Sequence, residues 1–156
     1  MSRRALVAGV GNVFLGDDGF GVEVAARLSS SALPDGVRVV DAGIRARDLA
    51  YELFDGGYDT AILVDAVTRG GAPGTVYVIE PDLASIDGAP SMAGIDGHAV
   101  NPEAMLALVR VLGGVPTRIL IVGCEPASVE EGIGLSQPVA AAVDDAVGVV
   151  RELLCA

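Results

Sequence analysis

Short apolar runs with little alternation recur along this chain, each ended by glycine or by an acidic residue. The pattern predicts strands at residues 4–10, 37–41 (Val37-Arg38-Val39-Val40-Asp41) and 60–65 (Thr60-Ala61-Ile62-Leu63-Val64-Asp65), and again at 75–80 and 118–123. Runs rich in β-branched residues that do not alternate predict strands buried on both faces. Between the first two, Val22, Ala25, Ala26 and Leu28 are expected to line a helix. Asn101-Pro102-Glu103 predicts another helix start, with a capping Asn and a Pro at the first helical position. That helix would carry Met105, Leu106, Leu108, Val109 and Leu112 and stop at Gly113-Gly114. Ser136 is expected to cap a last helix reaching about Leu154, with Val139, Val143, Val147 and Val150 on one face. The expectation is a single α/β domain over residues 1–156. It is a three-layer sandwich whose five-stranded, mostly parallel but partly mixed sheet carries helices on both faces. One stretch rich in Gly, Pro, Asp and Ser, from Pro81 to about Val100, predicts no regular element.

Composition narrows the function classes. Half of the 156 residues are apolar while tryptophan is absent, so the core must be built from Val, Leu, Ile and Ala. The formal net charge of −11 argues against nucleic acid or an anionic membrane as partner. All ten basic residues are arginine. Two widely separated cysteines, Cys124 and Cys155, have no framework spacing and fit a reducing compartment. No run is long enough to span a bilayer, and Met1-Ser2-Arg3-Arg4 leads into a strand without a signal-peptide pattern. A cytoplasmic location is expected.

The opening Gly9-Val10-Gly11-Asn12-Val13-Phe14-Leu15-Gly16-Asp17-Asp18-Gly19-Phe20-Gly21 has the form of the first strand-to-helix turn of a nucleotide-binding fold. Two details oppose that use. Phe14 occupies the third glycine position of GxGxxG. Asp17 and Asp18 stand where a phosphate loop needs Lys and Ser or Thr. Adjacent carboxylates repel a phosphate and attract a cation.

If the strands are parallel, their acids gather at one edge, where open α/β sheets bind ligands. Asp17 and Asp18 follow the first strand, Asp41 ends the second, Asp65 ends the third, and Cys124-Glu125 follow the fifth. The only histidine, His98, could fold over that edge from the long stretch. Two carboxylates and an imidazole suit Ni, Zn, Mn or Fe. Each residue also has a plainer reading. Asp17 or Asp18 could cap the next helix, with metal contact left to the other. Asp65 could bond to loop amides, and His98 could lie on the surface. Cys124 with His98 could form a nucleophile–base pair, but a buried strand-end cysteine is the better expectation. Arg45 and Arg47 could hold an anion, with a solvated loop face as the default.

The chain resembles the hydrogenase maturation proteases. The resemblance is carried by Gly9-Val10-Gly11-Asn12, Gly16-Asp17-Asp18-Gly19 and Gly21, by Val64-Asp65-Ala66 with Pro73-Gly74-Thr75, and by the histidine segment. It is completed by Val122-Gly123-Cys124-Glu125-Pro126 and Gly134-Leu135-Ser136. It implies an aspartyl-type endopeptidase that removes the C-terminal extension of a nickel–iron hydrogenase large-subunit precursor after nickel insertion. It further implies that Asp18, Asp65 and His98 are the metal-contacting and catalytic residues, and that Asp17, Asp41 and Gly43 face substrate. The implied cofactor is nickel, supplied by the precursor, with none bound at rest. The implied partner is the precursor, met by a monomer. Asp41-Ala42-Gly43-Ile44 departs from the Asp-Gly-Gly-Thr often found in that family, and Asp96-Gly97-His98-Ala99-Val100 also differs from the common form. Asp17 or Asp41 is a candidate base or supporting group. A nickel-sensing chaperone that inspects the precursor without cutting it is the alternative function.

Overall fold

The computed structural model describes residues 4–81 and 118–155. All five apolar runs form strands: β1 (Ala5–Val10), β2 (Val37–Gly43), β3 (Thr60–Ala66), β4 (Val76–Ile79) and β5 (Arg118–Cys124). They pair in the order β2-β1-β3-β5-β4. The pairs β1–β2, β1–β3 and β3–β5 are parallel, whereas β4 runs antiparallel to β5. The expected mixed sheet is therefore present. His98 and the helix expected from Asn101 lie outside the described residues.

Side chains of the central strands leave the sheet alternately, which divides the core in two. Leu6, Ala8 and Val10 of β1, with Ala61 and Leu63 of β3 and Ile119 and Ile121 of β5, face one side. There they meet Leu49, Ala50 and Leu53 of helix α2 (Ala46–Asp55). Val7, Ile62, Val64, Leu120 and Val122 face the other side. They pack on Phe20, Val24 and Leu28 of α1 (Phe20–Ser29) and on Val139, Val143 and Val150 of α3 (Gln137–Cys155). Helices thus cover both faces, as near-continuous apolar strands require. Among the described residues, no helix is long and apolar enough to cross a membrane.

Three local expectations change. The buried stripe of α1 is Phe20, Gly21, Val24, Ala25 and Leu28. Ala26 faces solvent and Val22 is only half-buried, because the helix begins at Phe20 and that start sets the phase. The segment read as a solvated loop around Arg45 and Arg47 is the start of α2. Among its described side chains, Leu49, Ala50 and Leu53 enter the core, a stripe set among charged neighbours that does not stand out as a periodic run. Finally, Ser136 heads α3 as expected, its carbonyl accepting the Ala140 N–H at 2.8 Å, but its hydroxyl donates to Asp17 Oδ2 at 2.8 Å, across to the first strand-to-helix turn.

Two glycines bring α1 against the sheet. A Cβ on Gly21 would stand 2.0 Å from the Val64 carbonyl oxygen and 2.5 Å from that of Val10. A Cβ on Gly9 would stand 2.2 Å from the Gly21 carbonyl oxygen. Those oxygens belong to central strands and to the helix backbone, so they cannot yield cheaply. Gly21→Ala is expected to cost about 2 kcal/mol or more. Gly148→Ala, in α3 with open space around it, should instead add about 0.5–1 kcal/mol by restricting the unfolded chain. Urea midpoints of the two variants check this. Movement in the same direction would contradict the close-approach account.

Candidate active site

β1 sends its chain to β2 on one side, while β3 lies on its other side. The gap beyond the carboxyl ends of β1 and β3 is therefore the point where strand order reverses, the usual ligand crevice of such a sheet. Asp18 follows β1 through a 3-10 turn (Gly16–Gly19), and Asp65 lies near the end of β3. They flank that crevice.

Gly11 sits between them with φ +136°, a conformation open to glycine at little cost. A Cβ there would reach 1.9 Å from the Asp18 carbonyl oxygen and 3.5 Å from Asp65 Oδ1. The Asp18 backbone and the Asp65 carboxylate thus both border a residue with no side chain. Asp18 is half-buried, and its Oδ2 accepts the Asn12 N–H at 2.8 Å. Asp65 is 6 % exposed, and its Oδ1 accepts only the following Ala66 N–H at 2.8 Å. Burial pushes the Asp65 pKa well above the usual carboxylate range, and the Asp18 charge pushes it further, against that one hydrogen bond. Asp65 is thus pressed toward its protonated form beside Asp18. Among the described residues, no third His, Cys, Asp or Glu completes a metal-binding group.

Asp17 differs in kind from its neighbour. Its carboxylate is 1 % exposed and accepts the N–H groups of Ala127 at 2.8 Å, Ser128 at 3.1 Å and Ser136 at 2.6 Å, besides the Ser136 hydroxyl. Burial is the largest single influence and raises its pKa, but the donors from Ser136, Ala127 and Ser128 together hold it below the ordinary value. Neither acid caps α1, which begins without a side-chain cap. Asp17 instead ties the first turn to the start of α3. Its carboxylate is committed inside the protein, which leaves it no free face for the substrate contact expected of it.

Asp41 lies on β2 opposite Gly9, one strand away from the crevice, and is exposed. Its carboxylate lies 3.5 Å from where a Cβ on Gly43 would sit, at the left-handed turn (φ +52°) that ends β2. The Gly43 carbonyl accepts the Gly11 N–H at 2.9 Å, so this turn adjoins the crevice. Arg45 donates to the carbonyls of Asp41 and Ala42, so it is tied to the strand end.

Cys124 is fully buried, and burial pushes its thiol up to about 11. A thiol so rarely ionised at neutral pH is no ready nucleophile, which favours the structural reading. Sequence reasoning placed Glu125 at this edge without a role. Its buried Oε1 accepts the N–H groups of Arg69 at 2.8 Å and Gly71 at 3.0 Å and the Tyr77 hydroxyl at 2.8 Å. These donors, the Arg69 N–H foremost, hold its pKa below the ordinary value despite burial. Glu125 therefore shapes the loop that follows Asp65. The only sequence signal was an acid directly after a fully apolar strand.

The two kinds of acid should separate in solution. Asp17→Ala leaves three N–H groups and a hydroxyl without their acceptor and should cost about 2–4 kcal/mol. The Asp17 pKa is lowered on folding, so its contribution is present above the unfolded value near ~3.9 and is lost as pH falls through the folded value. The Asp65 pKa is raised, so the native state loses stability as pH climbs from ~3.9 through the folded value. Asp65→Asn should therefore match wild type in acid and become the more stable protein as pH rises. Denaturant titrations between pH 3 and 8 test both signs, and an Asp65→Asn curve parallel to wild type would refute the second.

The sequence and the fold are similar to those of known proteins. The family model described as hydrogenase maturation protease matches residues 22–152. The hydrogenase expression/formation protein HupD of Rhodobacter capsulatus is 34% identical over 155 residues, covering 97% of this chain and 71% of its own. The hydrogenase 2 maturation protease of Escherichia coli is 32% identical over 145 residues, covering 92% of this chain and 85% of its own. The solved structure of the hydrogenase maturating endopeptidase HybD from E. coli superposes with a TM-score of 0.78 at 30% identity, covering 97% of this chain and 91% of that one. On the match of family model, relatives and fold, the chain belongs to the hydrogenase maturation protease family.

Proposed function

We propose that this protein removes the C-terminal extension of a nickel–iron hydrogenase large-subunit precursor, and that it recognises the precursor's nickel through Asp18, Asp65 and His98. The observation that carries the reading is the pair Asp18 and Asp65 beside Gly11, near enough that the Asp18 charge raises the pKa of the buried Asp65. Two carboxylates with an imidazole form a donor set suited to nickel. The family membership supplies the reaction class.

The metal is part of the substrate. In the free protein, Asp65 holds its proton more tightly than an ordinary carboxylate, so a free cation must compete for the site. A precursor that brings nickel already held by its own ligands offers a fixed positive charge at the crevice. Ionised Asp65 becomes favourable at that moment, and docking of the loaded precursor is favoured over the empty one. Asp17 supports this by holding the turn that carries Asp18, and Glu125 by holding the loop after Asp65. Asp41, exposed beside the Gly43 turn, is free to contact the polypeptide.

The test is intact-mass analysis of a hydrogenase large-subunit precursor, nickel-loaded and nickel-free, after incubation with this protein. Loss of a C-terminal peptide from the loaded form alone is expected. Asp18→Ala and His98→Ala should each lower the processing rate by about 100-fold or more while keeping the wild-type far-UV spectrum. Unchanged processing by both variants would refute the proposed metal contact. Stable binding of the loaded precursor without any loss of mass would establish the chaperone alternative.

A further inference from the structure

Beside the acid pair, the structure exposes apolar surface that the metal reading does not use. Phe14 is 63 % exposed and Ile133 is 81 % exposed. Both line a cleft of about 480 Å³ together with Asn12, Leu15, Glu131 and Gly132. Large apolar side chains grouped in the open generally mark an interaction site.

This surface is built to hold its shape. The Gly132 N–H donates to the Phe14 carbonyl at 2.8 Å, and the Gly16 N–H donates to the Gly132 carbonyl at 2.9 Å. Leu15 and Gly132 thus form a parallel bridge between two segments far apart in sequence. Asn12 Oδ1 accepts the Phe14 N–H at 2.9 Å and fixes the turn that presents the phenyl ring. Behind the bridge, Asp17 binds both segments through its own N–H to the Ser128 carbonyl and through its carboxylate to Ala127 and Ser128. A ledge held in this way loses little entropy on binding.

Asn12 also joins the ledge to the acid pair. It lines the cleft, and its N–H lies 2.8 Å from Asp18 Oδ2. The cleft therefore adjoins Asp18, within reach of polypeptide around a metal ion presented there. The exposed Glu130 and Glu131 border Ile133 in the sequence, and the chain as a whole carries a net charge of −11. The ledge is thus complementary to apolar side chains with basic neighbours.

We propose that Phe14 and Ile133 form the docking ledge for the hydrogenase precursor, receiving an apolar segment beside its metal site. This inference rests on the proposed function. It assigns binding affinity to the ledge and leaves metal discrimination to the acid pair.

The test uses the full-length protein, the nickel-loaded hydrogenase large-subunit precursor, and the variants Phe14→Ser, Ile133→Ser, their combination, and Phe14→Leu. Both positions are solvent-exposed, so wild-type far-UV spectra and urea midpoints are expected. The double variant should raise KM for processing and Kd for the precursor by about tenfold or more, with the loss falling on KM and not on kcat. Phe14→Leu, which keeps an apolar side chain, should retain most of the affinity. Unchanged KM and Kd in the double variant, or a loss confined to kcat, overturn the ledge while leaving the processing activity standing. If wild type binds the precursor without cutting it, the proposed activity fails by itself, and the Kd comparison still decides the ledge. Failure of wild type to bind the precursor at all overturns both.

Discussion

A carboxylate at the edge of an apolar sheet is tolerated without solvent only when its oxygens are met by donors. Asp17 meets that condition with three amide N–H groups and one hydroxyl, drawn from the segment between β5 and α3. The arrangement decides more than the state of one side chain. It fixes the first strand-to-helix turn against Ala127, Ser128 and Ser136, which are distant in sequence, and it sets where α3 begins. Asp18 is the next residue in the chain, so its position over the crevice follows from the anchorage of Asp17. The Leu15–Gly132 bridge lies in front of the same anchor. The crevice and the ledge therefore depend on one buried ion whose partners are all within the protein.

Asp65 shows the opposite use of burial. It is nearly as enclosed as Asp17 but accepts a single neighbouring N–H and faces another negative charge. Two buried acids are thus driven in opposite directions, one held ionised by donors and one pressed toward its protonated form. Groups whose environments separate their pKa values in this way are the usual mark of divided roles in a site. The destabilisation at Asp65 is local because the strands beneath it are fully apolar and paired on both sides. A rigid sheet can carry an unfavourable group at its edge without yielding.

Much of this was legible in the sequence, and the misses have physical causes. The strands could be read because Ala61 to Val64 and Ile119 to Val122 are buried on both faces, which leaves no polar interruption. The crevice could be placed because β2, β3 and β5 each end at or beside an acid and β1 runs into the turn that carries Asp17 and Asp18. Helix α2 was hidden because it contacts the sheet on only one narrow stripe, with Arg, Asp and Glu between its apolar positions. The division of labour between Asp17 and Asp18 was not legible at all. Adjacent identical residues differ here only in which long-range donors they meet, and those donors stand more than a hundred positions away. The role of Glu125 was hidden for the same reason, since its partners lie in the 69–77 segment.

The same long-range geometry sets this glycine-rich turn apart from the phosphate-binding turns whose form it shares. In a phosphate-binding turn, backbone N–H groups at the end of the first strand point to the ligand and attract negative charge. Here the Gly11 N–H is taken by the Gly43 carbonyl, the Asn12 N–H by Asp18 Oδ2, and the Phe14 N–H by Asn12 Oδ1. The donors that would hold an anion are consumed inside the turn, one of them by a site acid itself. Asp18, after β1, and Asp65, near the end of β3, then flank the crevice, with the Asp18 backbone and the Asp65 carboxylate bordering Gly11. The backbone form of the turn is kept while its electrostatic sign is reversed, and the reversal needs only that an acid fold back onto the amide it would otherwise leave free.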